Sequence, residues 1–470
     1  MRKLRLLAAA SCSAVALLTA GIAQAETLTD ALISAYRTSN LLEQNRALLR
    51  ATDEDVAVAV AALRPVVQFV AQSTYSFNHV HGDLTSSTGF LPFGKHASVE
   101  DLSSSVGLTA SITVYDSGKS QLGIEAAKET VLATREALVN IEQNVLLDAV
   151  SAFVKVRLSQ SIVELRQNNV NLIQQELRAA QDRFEVGEVT RTDVAQAEAA
   201  LAAARSDLTS AEGDLVVARE AYKAAIGHYP GTLQAPLQAP KTAASVEAAK
   251  TVAKRAHPLV RQSQRQVAAA DLNVARARAA MGPTLTASAS AAVDERGQES
   301  NSVGLTLRQT LYAGGELSAL FRQSLANRDA QKANLLQTGV TVEQNVGQAW
   351  STVDVASAAI AAGNEEVRAA RTAFEGVREE ATLGARTTLD VLNAEQDLLN
   401  AQADRLTAEA QRYIGIYQVL SSMGMLTAQH LNLGIPTYDP AAYYNQVKDA
   451  PATSSQGRRL DRVLKSISHD

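Results

Sequence analysis

The chain has 470 residues, enough for two or three ordinary domains, and a formal net charge of −5. This acidic balance argues against nucleic acid as a partner, because binding a polyanion normally uses a basic patch. Aromatic residues make up only 4% of the chain. That share is low for a compact enzyme of this size and favours long helices that approach each other closely through alanine.

The first 25 residues have the features of a secretory signal peptide. Cationic side chains open it: Arg2, Lys3 and Arg5. The apolar run Leu6–Leu18 follows, and Ala23-Gln24-Ala25 is a small-residue cleavage site. The run is shorter than the roughly 20 apolar residues that a membrane span needs, and an uncleaved anchor is the alternative. Cleavage would remove three positive charges, for a mature net charge of −5 − 3 = −8, together with the only cysteine, Cys12.

Two hairpins of β-strands are predicted from alternating apolar and polar residues over 67–77, 106–114, 285–293 and 303–311. Pro65 and Pro283 open the hairpins, and the first has a longer loop, around residues 78–101. Such alternation suits a strand with lipid on one face and water on the other. A soluble hairpin is the alternative for each segment alone. Because no apolar run of membrane-spanning length follows the leader, a barrel is the predicted way across a membrane.

Long proline-free stretches follow each hairpin, over about 119–184 and 316–382. In the first, apolar residues recur every 3, 4 or 7 positions, which predicts a coiled-coil seam. At 1.5 Å per residue, about 65 residues form a rod of roughly 100 Å. Such rods are far too long to lie within a bilayer.

The same sequence pattern occurs twice in the chain, at the constant offset 383 − 186 = 197. VGEVTRTDVAQAE at 186–198 corresponds to LGARTTLDVLNAE at 383–395, and Tyr115-Asp-Ser-Gly118 corresponds to Tyr312-Ala-Gly-Gly315. Glycine ends each long helix, and threonine with aspartate begins a return helix. We therefore predict a first structural repeat at 26–226 and a second at 246–425, each with a helix, a β-hairpin, a long helix and a return helix.

The remaining segments are irregular. Residues 227–245 form a proline-containing linker between the repeats. After the second repeat, residues 426–470 contain three more prolines and end in a polar stretch that we predict to be disordered.

Four strands cannot close a barrel, because the known minimum is about eight. Two chains would supply eight strands, and side chains fill the interior of a barrel of that size. Three chains would supply twelve strands, enough to enclose water. The sequence thus favours a shared barrel with helices that continue away from the membrane.

The two-fold repeat, the hairpins, the strand-to-helix passages and the Gly-x-x-Thr-x-x-Asp-Val-x-x-Ala motif together resemble the TolC family of outer-membrane efflux and secretion channels. The resemblance covers essentially the whole mature chain. It implies an α+β membrane protein: a homotrimer whose twelve-stranded β-barrel, with four strands per protomer, continues into a long α-helical coiled-coil periplasmic tunnel. Residues 426–470 would then hold an equatorial segment and the tail.

The resemblance also implies a function and partners. The protein would lie in the lipid of a Gram-negative outer membrane, as the exit duct for an inner-membrane pump. A periplasmic membrane-fusion adaptor would connect the duct to that pump, an ABC or proton-driven transporter. Tyr438-Asp-Pro440 and Tyr443-Tyr444 resemble the type I protein-secretion branch. Small-molecule efflux stays open, and an exported periplasmic coiled-coil structural protein is the alternative of another class.

The resemblance assigns roles to residues of the repeated motif. Asp390 would point into the channel entrance, where Asn393 stands in place of a second acid found in the family. Arg386 would tie the inner hairpin to Asp193 of the outer hairpin when the entrance is shut. The tip turns would dock the adaptor: Val186, Gly187, Thr190, Leu383, Gly384 and Thr387. The barrel–tunnel junction would hold Tyr115, Gly118, Tyr312 and Gly315.

No enzymatic activity, cofactor or metal site is predicted. The histidines His79, His81 and His96 fall in the first hairpin loop. Scattered histidines in an exposed loop usually bind nothing. Gly314-Gly315 is not a phosphate-binding loop, because no Lys-Ser/Thr follows it.

Overall fold

The structure, a computed structural model, describes residues 25–80, 97–235, 239–448, 458, 459 and 462. The predicted signal peptide up to Gln24, the histidines His81 and His96, and nearly all of the predicted disordered tail lie outside these residues. The predictions for those segments therefore stay predictions.

The described residues form helices and strands in the order predicted for two repeats. The helices are α1 (Leu28–Thr38), α2 (Asn40–Ala61), α3 (Lys119–Glu185), α4 (Arg191–Ile226), α5 (Val246–Ala256), α6 (Pro258–Ala279), α7 (Glu316–Thr382), α8 (Thr388–Ser422) and α9 (Pro440–Val447). The strands are β1 (Val66–Val80), β2 (Ala97–Tyr115), β3 (Thr284–Asp294) and β4 (Glu299–Arg308). The fourth strand ends three residues before Leu311, where the alternation predicts its end.

The repeat has two constant offsets in the structure. Helices α5 and α6 follow α1 and α2 at the offset 246 − 28 = 218, which is the same at their starts and ends. Helix α7 follows α3 at the offset 316 − 119 = 197, and both helices have 67 residues. The offset falls from 218 to 197 between α6 and α7. The first β-hairpin, between α2 and α3, is therefore longer than the second, between α6 and α7.

The four strands form one antiparallel sheet in the order β1-β2-β3-β4. Its register places Ile112, Ala287 and Leu305 in one cross-strand row, and Thr113, Thr286 and Thr306 in the next row. Successive residues of a strand point to opposite faces, so one face of the sheet is apolar and the other polar. Within the described residues, the outer edges of β1 and β4 have no strand partner.

One described helix, α3, contains a stretch that is long and apolar enough to cross a membrane. The expectation that no such run follows the leader was therefore wrong. Within α3, Leu146, Val150 and Phe153 are fully buried in a helical core. Core packing accounts for the apolar character of this helix.

The chain divides into two compact units. The first takes Arg135–Gln262 and Leu336–Asp439, together with the chain up to Leu48. The second takes Leu49–Thr134, Ser263–Leu335 and the residues from Pro440 on, and so contains the sheet. In the second unit, the helices beside the sheet join through ion pairs such as Arg265 with Glu129, at 3.3 Å.

The core of the first unit packs α1 and α2 against α3, α4 and α8. Its centre holds Leu146, Phe153, Tyr222 and Ile226, none of which is exposed. The hydroxyl of Thr38 donates to the Ile226 carbonyl at 2.8 Å, and so caps the end of α4.

Small residues line the return helices at every seventh position. Both sets are buried: Ala197, Ala204, Ala211 and Ala218 in α4, and Ala401, Ala408 and Gly415 in α8. A Cβ atom at Gly415 would lie 3.0 Å from Cγ2 of Val353 in α7. This close approach of helices explains how a chain with few aromatic residues forms a core.

The segment after α8 is irregular but packed. Leu426, Ala428 and Leu433 join the core of the first unit. The Arg46 guanidinium lies over the rings of Tyr36 and Tyr438, at 5.2 and 5.4 Å from their centroids. These contacts fasten the segment to α1 and α2.

Candidate functional site

The two predicted tip turns have the same backbone geometry. Gly187 and Gly384 have φ of +83° and +78°, which glycine adopts without strain. The amide N–H groups of Glu188 and Ala385 donate to carbonyls five residues earlier, both at 2.9 Å. This is the Schellman pattern that ends a helix. It explains why the sequence places glycine at both positions.

Each return helix begins with a capping box of threonine and aspartate. The Thr387 backbone N–H and hydroxyl donate to Oδ2 of Asp390, both at 2.9 Å, and the Asp390 N–H donates back to the hydroxyl. Thr190 and Asp193 form the same box, at 2.9 and 2.7 Å. A third box, Thr27 with Asp30, begins α1. Capping is therefore a structural task that this pair performs in several places.

The capping bonds change the acidity of both aspartates. Hydrogen bonds from Thr387, first from its backbone, lower the pKa of Asp390, and the charge of Arg386 adds to the effect. Hydrogen bonds from Thr190 lower the pKa of Asp193. Both groups are therefore firmly ionised at neutral pH.

The structure does not bring Arg386 to Asp193. Nε of Arg386 donates to Oε2 of Glu380 at 2.8 Å, and this pairing raises the pKa of Arg386. The carboxylate of Asp193 is held by Thr190. Glu380 precedes Arg386 by only six residues, across the turn, so the local partner is the one that Arg386 contacts in this chain.

Apolar side chains are exposed at the two tips. Val186 is 71% exposed and Leu383 is 79% exposed. Asn393 is exposed on α8, one turn beyond the half-buried Asp390. Each tip thus presents an apolar side chain beside charged and polar groups, which suits a protein-binding surface.

A buried acid at the end of the motif was missed by the sequence analysis. Glu395 in α8 is only 4% exposed. Nδ2 of Asn169 in α3 donates to its Oε1 at 2.6 Å, whereas its buried Oε2 has no hydrogen-bond partner. Beside it, Arg378 of α7 pairs with Glu176 of α3 at 3.2 Å. The motif repeats a glutamate at this position, but nothing in the motif indicates that this copy is buried.

The two strand-to-helix passages also match. Ser117 and Gly314 have φ of +60° and +61°, and each precedes a glycine with positive φ, Gly118 or Gly315. The aromatic residues just before them, Tyr115 and Tyr312, are 55% and 89% exposed. Exposed tyrosines beside an apolar sheet face are typical of a membrane–water interface.

Comparison with known proteins gives consistent matches. A family model described as outer membrane efflux protein matches residues 18–228 and 251–424. The outer membrane efflux protein BepC of Brucella suis is 36% identical, over 94% of this chain and 95% of BepC. The alkaline protease secretion protein AprF of Pseudomonas aeruginosa is 26% identical, over 72% of each chain. The solved Campylobacter jejuni CmeC outer membrane channel has a TM-score of 0.73 at 16% identity, over 90% of this chain and 89% of CmeC.

Proposed function

Because the chain belongs to the outer membrane efflux protein family, we propose that it forms the exit duct of a tripartite export system. The family and the fold class predicted from the sequence are confirmed, since the chain has the fold of TolC-like channels. The protein is accordingly an outer-membrane protein of a Gram-negative bacterium.

The sheet carries the duct proposal. One face is largely apolar across the four strands, and the opposite face carries mostly threonine, serine and glutamine. Unpaired backbone groups are costly in lipid, so the outer edges of β1 and β4 need partners there. In a homotrimer, β4 of one copy pairs with β1 of the next, and twelve strands close with the polar face inside.

For the entrance, we assign Asp390 and Asn393 of α8 to the constriction. The low pKa of Asp390 keeps three carboxylates charged in a trimer. Asn393 adds hydrogen-bonding capacity without charge, so the cation preference is milder than two acidic rings would give. Because Arg386 pairs with Glu380 in this chain, a closing link to Asp193 requires Arg386 to change partner.

For the partners, we assign the apolar tips to the periplasmic adaptor. Val186 and Leu383 supply exposed apolar surface, and the turn glycines fix its shape. An inner-membrane ABC transporter is the proposed pump, and a proton-driven pump is the alternative.

For the cargo, we propose a secreted polypeptide, as in type I secretion. Support comes from the likeness to AprF, whose name states alkaline protease secretion. A second candidate is small-molecule efflux. It is favoured by the greater identity to BepC, which is named an efflux protein.

The first experiment compares culture supernatants with and without the gene. Selective loss of one or a few large exported proteins is expected, with recovery on complementation. An unchanged supernatant together with new sensitivity to toxic compounds would instead favour the small-molecule cargo. Absence of the protein from outer-membrane fractions would contradict the duct itself.

A further inference from the structure

The two copies of the tip motif differ at their last glutamate. Glu198 on α4 is exposed, whereas Glu395, its counterpart on α8, is 4% exposed. The surrounding backbone is the same in both copies, down to the capping boxes. The two glutamates therefore differ in burial, and only the copy on the second helical hairpin, formed by α7 and α8, is buried.

Three helices meet at Glu395. From α3, Asn169 donates to Oε1 at 2.6 Å, and Glu176 contributes a like charge. From α7, Arg378 contributes the opposite charge, but its Nε binds Glu176 rather than Glu395. One turn before Glu395 on α8, Leu392 packs with the apolar residues Leu201 and Ala204 of α4.

This site is the contact between the second helical hairpin (α7 and α8) and helix α3 of the first helical hairpin (α3 and α4). Its hydrogen bond and ion pair join residues that are far apart in the sequence. By contrast, the bonds that hold Arg386 are local to its own turn. The Asn169–Glu395 bond and the Arg378–Glu176 pair are therefore placed to hold the second hairpin against α3.

We propose that Glu395, held by Asn169 and beside the Arg378–Glu176 pair, is a pH-sensitive latch that keeps the second hairpin packed on α3. This inference rests on the proposed function, in which the second hairpin forms the channel entrance. A protonated Glu395 holds the hairpin closed, and an ionised Glu395 releases it.

The direction of the pH effect depends on which arrangement of Glu395, packed or released, binds the proton more tightly. Burial, and secondarily the charge of Glu176, raise the pKa of Glu395 from an ordinary 4.5 to about 7 in the packed arrangement. A released Glu395 in water regains its ordinary acidity. The packed arrangement is thus favoured at low pH, and it weakens as pH rises from 4.5 to about 7. The equilibrium between open and closed should shift at least about tenfold over this range.

The test measures open probability of the purified full-length protein in planar lipid bilayers between pH 5 and pH 8. The wild type is expected to open as pH rises. Glu395→Gln keeps the bond to Asn169 but cannot ionise, so it should stay mostly closed at every pH. Asn169→Leu removes a bond that holds the second hairpin against α3, so it should be more open than the wild type at every pH.

The matched control is Glu198→Gln, the same change at the exposed copy, which should retain the wild-type pH dependence. A second readout follows the tips directly. Spin labels at Val186→Cys and Leu383→Cys should separate as pH rises in the wild-type background, and stay together in Glu395→Gln.

The outcomes separate this inference from the proposed function. Channels that open with the same pH dependence in Glu395→Gln as in the wild type would overturn the latch but leave the duct intact. A wild type that forms no channels at any pH would overturn the duct. In that case the spin-label distances still test whether Glu395 releases the hairpin.

Discussion

At the scale of single residues, Thr387 sets the acidity of the proposed entrance. Its hydroxyl and backbone N–H both donate to Asp390. In Thr387→Ala the backbone bond remains and the hydroxyl bond is lost, so the pKa of Asp390 should rise toward its ordinary value. Cation selectivity in bilayers should then disappear at a higher pH than in the wild type. Loss of the cap should also cost about 1 kcal/mol of helix stability.

The matched control for Thr387 is Thr190→Ala, which removes the same hydroxyl from the first hairpin. Its stability cost should be similar, because the two boxes have the same geometry. Its selectivity should remain that of the wild type. Unchanged selectivity in Thr387→Ala would argue that Asp390 does not face the conduction path.

A second residue-scale prediction concerns His257, at the junction of α5 and α6. Its Nδ1 accepts from the Leu259 N–H at 3.2 Å, and burial lowers its pKa from 6.5 to about 4. The unfolded chain therefore binds the proton more readily. Stability is full above pH 6.5 and falls as pH decreases toward 4, by up to about 3 kcal/mol.

The measurement is thermal unfolding by circular dichroism between pH 7.5 and pH 4.5. The comparison variant is His257→Ser, because Ser39 occupies the equivalent position between α1 and α2 of the first repeat. The variant should lose less stability on acidification than the wild type. Parallel pH profiles would show that His257 does not titrate on unfolding.

At the scale of elements, two glycines at equivalent positions of the two β-hairpins are predicted to tolerate substitution unequally. A Cβ atom at Gly107 in β2 would lie 2.6 Å from the Ala291 carbonyl oxygen, whereas one at Gly304 in β4 would meet only Ser288, at 3.8 Å. Gly107→Ala should therefore destabilise the sheet by about 1–3 kcal/mol. Gly304→Ala should be close to neutral. Heat dissociation of the assembly in detergent measures both, and equal effects would contradict the register.

The elements were largely predictable because their patterns are local. Period-two alternation located all four strands, and glycine with a Thr-x-x-Asp box located both return helices. The end of β4 was not predictable, because Leu311 continues the alternation although the strand stops at Arg308.

The contacts of the site were less predictable, because they join distant parts of the chain. Glu198 and Glu395 share a motif, and only packing against α3, where Asn169 lies, makes one of them buried. The Arg386–Asp193 link came from resemblance alone, and the local Glu380 competes for the same guanidinium.

At the scale of the whole molecule, the two faces of the sheet define which side meets lipid. Leu305 lies in the apolar row and Thr306 in the polar row, at adjacent depth. Leu305→Arg should cost about 2–4 kcal/mol per chain, and about three times that in a trimer. Thr306→Arg should be tolerated, because its side chain lies on the face that we assign to the water-filled interior.

Membrane fractionation and semi-native electrophoresis check this pair. Leu305→Arg should reduce the amount of heat-dissociable trimer in the outer membrane, while Thr306→Arg should not. The reverse order would invert the sheet and exclude a polar interior.

The unequal lengths of the two hairpins have a consequence for stoichiometry. In a trimer, the extra length of the first hairpin recurs three times, so a ligand that recognises it has three equivalent sites. The two tip turns have nearly the same backbone, so a ligand that recognises their shape finds six nearly degenerate sites. Because Val186 and Leu383 differ, the six sites fall into two groups of three with different affinities. A titration that saturates in two steps of three would therefore report binding at the tips.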